Sequence, residues 1–158
     1  MDTEYINILI ESLEKKRDVL AQLIEFNRQQ MLLLQDPGLL PADFEKNMTY
    51  KSKLVEQLDL LDTGFEEVFG RVKGALEQNR EAYAEQIGRM QTLVRDIMAQ
   101  TNTLQTQEAR NKEQAARKFS EVREQVKGVR NSQKVVRQYY QNMMKQRDVA
   151  AQVIDNKK

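Results

Sequence analysis

The sequence predicts an all-α protein: an elongated antiparallel helical hairpin or bundle of about three long helices, followed by a C-terminal amphipathic helix. Three observations lead there. Apolar side chains recur at spacings of three and four along most of the chain, which is the repeat of one helix face. Turn formers are scarce, with two prolines and six glycines in 158 residues, in a background of Glu, Gln, Lys, Arg, Leu, Val and Ala that favours long helices. The third is the one strong break, Asp36-Pro37-Gly38-Leu39-Leu40-Pro41. Its length makes the two flanking helices antiparallel neighbours.

The first helix is expected from about Thr3 to Gln35. Ile6, Leu9, Ile10, Leu13, Leu20, Leu23, Ile24, Met31 and Leu34 form its apolar stripe, with Glu11, Glu14, Lys15, Asp18, Glu25 and Arg28 on the other face. Thr3 with Asp2 is a candidate cap for its start. Pro41 suits the first turn of the second helix, where Asp43 and Glu45 complement the helix dipole. Phe44, Met48, Val55, Leu58, Leu61, Phe65, Val68, Phe69, Val72 and Leu76 carry the stripe onward. Gly64, Gly70 and Gly74 each weaken that helix by about 1 kcal/mol relative to alanine. A bend or an end near residues 74–80 is one reading of them, and close helix approach is the other.

A third stretch begins at about Glu81, with Tyr83, Ile87, Met90, Val94, Ile97, Thr101 and Leu104. Beyond Leu104 the apolar side thins, and Gln105 to Lys118 is nearly all polar, with alanines at 109, 115 and 116. A segment so poorly supplied with core is expected to project from the bundle or to be mobile. Phe119, Val122, Val126 and Val129 resume a weak stripe. Val135, Val136, Tyr139, Tyr140, Met143 and Met144 then fall as apolar pairs among Lys134, Arg137, Lys145 and Arg147. The expected organisation is a long-helix bundle over residues 1–125 and an amphipathic, partly mobile partner-binding segment over 126–158.

Several chemistries lack their residues. The chain has no cysteine and no histidine, so it has no thiolate nucleophile or metal ligand and no imidazole base. Its glycines are scattered singly, unlike a phosphate-binding loop. Glu66 and Glu67 are adjacent and point about 100° apart on a helix, so a solvated acidic face is the simpler reading. The sequence gives no support for an enzyme, and neither a cofactor nor a small-molecule substrate is expected. No apolar run approaches the roughly 18–20 residues of a membrane span, and Met1-Asp2-Thr3-Glu4 is acidic where a signal peptide is basic. A cytoplasmic location is expected.

The net charge of +1 conceals an asymmetry. Residues 1–109 hold 12 Lys/Arg against 19 Asp/Glu, and residues 110–147 hold 11 Lys/Arg against Glu113, Glu121 and Glu124. The balances of −7 and +8 attract each other or partners of opposite sign, more weakly as salt rises. A basic tail folded on its own acidic helices, a protein partner, and nucleic acid or a membrane all fit the pattern. Nucleic acid is the weakest of these, because no compact recognition motif accompanies the charge. Tyr139, Tyr140, Met143 and Met144 read either as the last core residues of a terminal helix or as an adaptable surface for varied helices.

Lys51-Ser52-Lys53-Leu54-Val55-Glu56-Gln57-Leu58, Leu61-Asp62-Thr63-Gly64-Phe65-Glu66-Glu67-Val68-Phe69 and the terminal Arg130-Asn131-Ser132-Gln133-Lys134-Val135-Val136-Arg137-Gln138-Tyr139-Tyr140 together resemble the FlgN/FliT-type flagellar export chaperones. The resemblance implies a cytosolic helical chaperone that masks the C-terminal helical region of hook-associated or filament-cap proteins until the export gate. It places partner binding on Val126, Val129, Val135, Val136, Tyr139, Tyr140, Met143 and Met144. The alternatives are a structural coiled-coil homodimer or adaptor and, less supported, a nucleic-acid-associated basic protein.

Overall fold

The computed structural model describes residues 2–120. They form three helices, α1 (Asp2–Gln35), α2 (Pro41–Gln78) and α3 (Ala84–Phe119), and among the described residues there is no strand. At about 1.5 Å per residue each helix is a rod of roughly 50–57 Å. The all-α expectation holds for these residues. The expected terminal helix, and the boundary expected at residue 125, lie outside them.

Each turn is explained by its own residues. After Gln35 the Asp36 carboxylate accepts a hydrogen bond from the Gly38 N–H at 2.9 Å, an Asx-type turn. Pro41 then opens α2 at its first turn without needing a donor. Asn79 ends α2, its backbone N–H and its side-chain amide both donating to the Ala75 carbonyl at 3.0 Å. The chain reverses through Asn79–Tyr83 and α3 begins at Ala84, three residues later than the sequence pattern implied. Asp2 and Thr3 are already helical, so they belong to the first turn of α1 and do not cap it.

α1 is the common partner. Lys16 meets Asp62, Gln30 meets Asn47, and Phe26 stacks on Tyr50, so α1 and α2 run antiparallel. Gln100 donates to the Arg17 carbonyl, Gln107 to that of Ile24, and Asn111 to that of Asn27. These steps advance together, so α1 and α3 run parallel. No Cα of α2 comes within 8 Å of one in α3; those two helices meet through long side chains. Lys118 extends from the end of α3 to the Leu34 carbonyl at 3.2 Å and to that of Asp36. It supplies the cation that the last turn of α1 lacks.

A seven-residue repeat organises the interior. In α1 the buried positions other than Val19 are Ile6, Leu9, Leu13, Lys16, Leu20, Leu23, Asn27, Gln30 and Leu34, alternating steps of three and four. Met90, Val94, Ile97, Thr101, Leu104, Glu108, Asn111 and Ala115 do the same in α3. In α2 every seventh residue from Phe44 is buried (Phe44, Lys51, Leu58, Phe65, Val72), while the second stripe drifts from Asn47 and Leu54 to Val55, Asp62, Phe69 and Leu76. Such a repeat keeps the seam facing its partners by left-handed supercoiling.

One expectation is overturned, and of the two readings of the α2 glycines one is met. Gln105–Lys118 does not project: it stays helical along α1, burying Glu108, Asn111 and Ala115, and ends with Phe119 edge-on to Phe44 at 5.1 Å. The heptad continues there through polar residues that face polar partners. α2 ends at Gln78, within the 74–80 window expected from its glycines, but those glycines do not admit a neighbour. A Cβ built at Gly64, Gly70 or Gly74 meets nothing within 4 Å, so these positions face open space.

Candidate functional site

The core divides along its length. The end that holds the α2–α3 turn is apolar, built from Ile6, Leu9, Leu13, Leu20, Leu23, Phe65, Phe69, Val72, Met90, Leu93 and Val94. Toward the other end the same register carries Asn27, Gln30, Asn47, Lys51, Glu108 and Asn111, all buried. A small apolar cluster of Leu34, Phe44, Ala115 and Phe119 closes that end.

Gln30 is the hub of the polar layer. Its Oε1 accepts from Lys51 Nζ at 3.3 Å and from Asn111 Nδ2 at 3.2 Å, and its Nε2 donates to Asn47 Oδ1 at 3.0 Å. Lys51 Nζ lies 2.7 Å from Glu108 Oε1 and 2.9 Å from Oε2, an ion pair between α2 and α3. Asn47 donates to the Phe26 carbonyl and Asn111 to that of Asn27, each at about 3 Å. One side chain from α1 thereby reads the register of both other helices. Burial holds the Lys51 ammonium below its ordinary pKa, and the adjacent Glu108 carboxylate opposes part of that shift.

A second buried pair sits within the apolar half, between the Leu13 and Leu20 positions of α1. Lys16 Nζ and Asp62 Oδ1 are 3.0 Å apart, with Lys16 only 1% exposed. Burial lowers the Lys16 pKa to about 8, against the pull of Asp62, and raises that of Asp62 to about 6, against the pull of Lys16. Desolvation outweighs attraction on both partners, as is expected where a charge pair leaves water. Asp62 Oδ2, both side-chain amide atoms of Asn27 and Asn111 Oδ1 are enclosed and make no hydrogen bond among the described residues.

These layers can fix register and orientation, a role for which buried polar core positions are well suited. Among the described residues no three or more Asp or Glu converge as a metal site. Nor is any described helix long and apolar enough to cross a membrane. A cleft of about 270 Å³ opens at the α2–α3 turn, floored by Phe69, Leu76, Ala84 and Ile87 and rimmed by Lys73, Glu77, Arg80 and Glu81. Elsewhere the large exposed apolar side chains, Ile8, Leu32, Leu40, Tyr50 and Leu60, are spread over α1, α2 and the turn between them.

The partner-binding positions expected from the sequence, Val126, Val129, Val135, Val136, Tyr139, Tyr140, Met143 and Met144, all lie outside the described residues. Counting apolar residues alone missed Lys16, Asn27, Gln30, Asn47, Lys51, Asp62, Glu108 and Asn111. The signal that finds most of them is the unbroken three–four step, followed through whatever residue occupies it. No protein-family model, no curated protein and no solved structure matches this chain.

Proposed function

We propose that this protein is a non-catalytic helical chaperone of the flagellar export type, acting in the cytoplasm on the C-terminal helical region of hook-associated or filament-cap proteins. The observation that carries the reading is the seven-residue repeat of buried positions along all three described helices, which are 34 to 38 residues long. A scaffold so regular presents its flanks at the period of a helical partner, and helix-on-helix recognition is read through that period. The polar layers support the same reading, because they hold the scaffold in one register while partners come and go. The segment 126–147 supplies the grip: it is basic, apolar-striped, and carries Tyr139, Tyr140, Met143 and Met144, residue types enriched in adaptable contacts.

Affinity capture from a lysate of the source organism tests the proposal, comparing the full chain with one ending at Gly128. Recovery of a hook-associated or cap protein by the full chain alone is the expected result. Recovery by both forms keeps the chaperone and moves the grip to the bundle. A stable homodimer that captures no export substrate replaces the proposal with a structural coiled coil.

A further inference from the structure

α2 and α3 have a relationship that three helices alone do not explain. Their side chains meet, as Lys51 with Glu108 and Phe44 with Phe119, yet their Cα atoms nowhere come within 8 Å. Neighbouring packed helices lie about 8–10 Å apart axis to axis, so helices across the diagonal of a four-helix square lie roughly 11–14 Å apart and touch through core side chains. The described helices have the form of three corners of such a square, with α1 opposite a furrow between α2 and α3.

The rest of the chain has the length and phase to fill that furrow. Residues 121–158 number 38 against the 36 of α3. Val122, Val126, Val129, Gln133, Val136, Tyr140, Met143, Arg147, Ala150 and Ile154 step by four and three without a break, the register of α1 and α3. A return starting with Val122 opposite Phe119 sets Val126 opposite Ala115, each four residues on. Eleven residues on, Gln133, one of two polar residues in that series, comes opposite Glu108 in the polar layer. Thirty-two residues on, Ile154 comes opposite Ile87, in the wall of the cleft. Residues 121–158 hold nine Lys/Arg against four Asp/Glu, and residues 1–120 hold 16 against 20, so balances of +5 and −4 favour the same seating.

The geometry points to residues 122–154 as the occupant of the furrow between α2 and α3, seated as a fourth helix with Ile154 in the cleft at the α2–α3 turn. The inference rests on the proposed function only in what it then says of the grip. Of the eight expected partner-binding residues, Val126, Val129, Val136, Tyr140 and Met143 share the inward phase, whereas Val135, Tyr139 and Met144 fall outside it. The segment thus has two faces: one seats it on its own bundle and the other meets the partner.

The full chain lacks cysteine, so engineered pairs test the seating without any cargo. Ile87→Cys with Ile154→Cys, and Ala115→Cys with Val126→Cys, are expected to close disulfides within one chain under mild oxidation. Ile87→Cys with Gln152→Cys, on the outward phase, is expected to close at least tenfold more slowly. Equal rates for all three pairs, or no closure, would overturn the seating; disulfides formed only between chains would assign the furrow to a second copy. Tyr140→Ala is expected to lower the melting temperature by several degrees, and Tyr139→Ala to leave it unchanged while weakening cargo capture. Closure of the inward pairs in a protein that captures no export substrate would leave the seating standing and remove the chaperone reading.

Discussion

Lys16 and Asp62 give stability an unusual dependence on pH. Asp62 titrates near 6 in the fold and near 3.8 when unfolded, so between those values the folded state holds the extra proton and stability falls as pH rises. Lys16 titrates near 8 in the fold and near 10.5 when unfolded, so there the unfolded state holds the extra proton and stability rises with pH. The pair therefore contributes least between about pH 6 and 8. Lys16→Met with Asp62→Leu is expected to stabilise the protein by about 1–4 kcal/mol. That gain should shrink toward pH 4 and toward pH 10.5, as urea unfolding at several pH values would show; a gain constant with pH would contradict the assignment. Lys16→Met alone should cost about 3 kcal/mol, because it leaves the carboxylate buried without its cation. Asn27 is the opposite case: its enclosed amide makes no hydrogen bond among the described residues, so Asn27→Leu is expected to gain about 1–3 kcal/mol. None of this was legible from apolar counting, since a lysine or an asparagine on a helix reads as surface until its register is followed.

At the scale of the element, the three helices and the Asp36–Pro41 break were legible because amphipathic repeats of this length leave few alternatives. The fate of Gln105–Lys118 was not. Its support lies in polar positions on two other helices, Asn27 and Gln30 on α1 and Lys51 on α2, and no local property of α3 reports them. Glu108→Leu is accordingly expected to destabilise by about 3–5 kcal/mol, because it strands the Lys51 ammonium in the core. Double replacement with Lys51→Met should recover most of that loss in the same unfolding measurement. The glycines of α2 were read as a weakness with either of two purposes, and the open space around them removes the close-approach reading. Gly70→Ala and Gly74→Ala should each stabilise the helix by about 0.5–1 kcal/mol. A loss at either site would mean that a partner needs the bare backbone.

For the whole molecule, the described helices form a scaffold with a seven-residue repeat and buried polar layers, and the proposed chaperone role asks it to present one helix to many helical partners. The eight expected binding residues lie outside the described residues, and they were named through the resemblance and the Tyr and Met pairs beside basic residues. The proposed seating of that segment draws on the Cα separation of α2 and α3, which the sequence does not report. The most direct test of the central claim is a calorimetric titration with the purified C-terminal helical segment of a hook-associated or filament-cap protein. It would compare the full chain with the form ending at Gly128. Saturable binding by the full chain, weakened at least tenfold by the truncation (about 1.4 kcal/mol), is the expected result. Equal affinity in both forms, or no heat of binding in either, would contradict it.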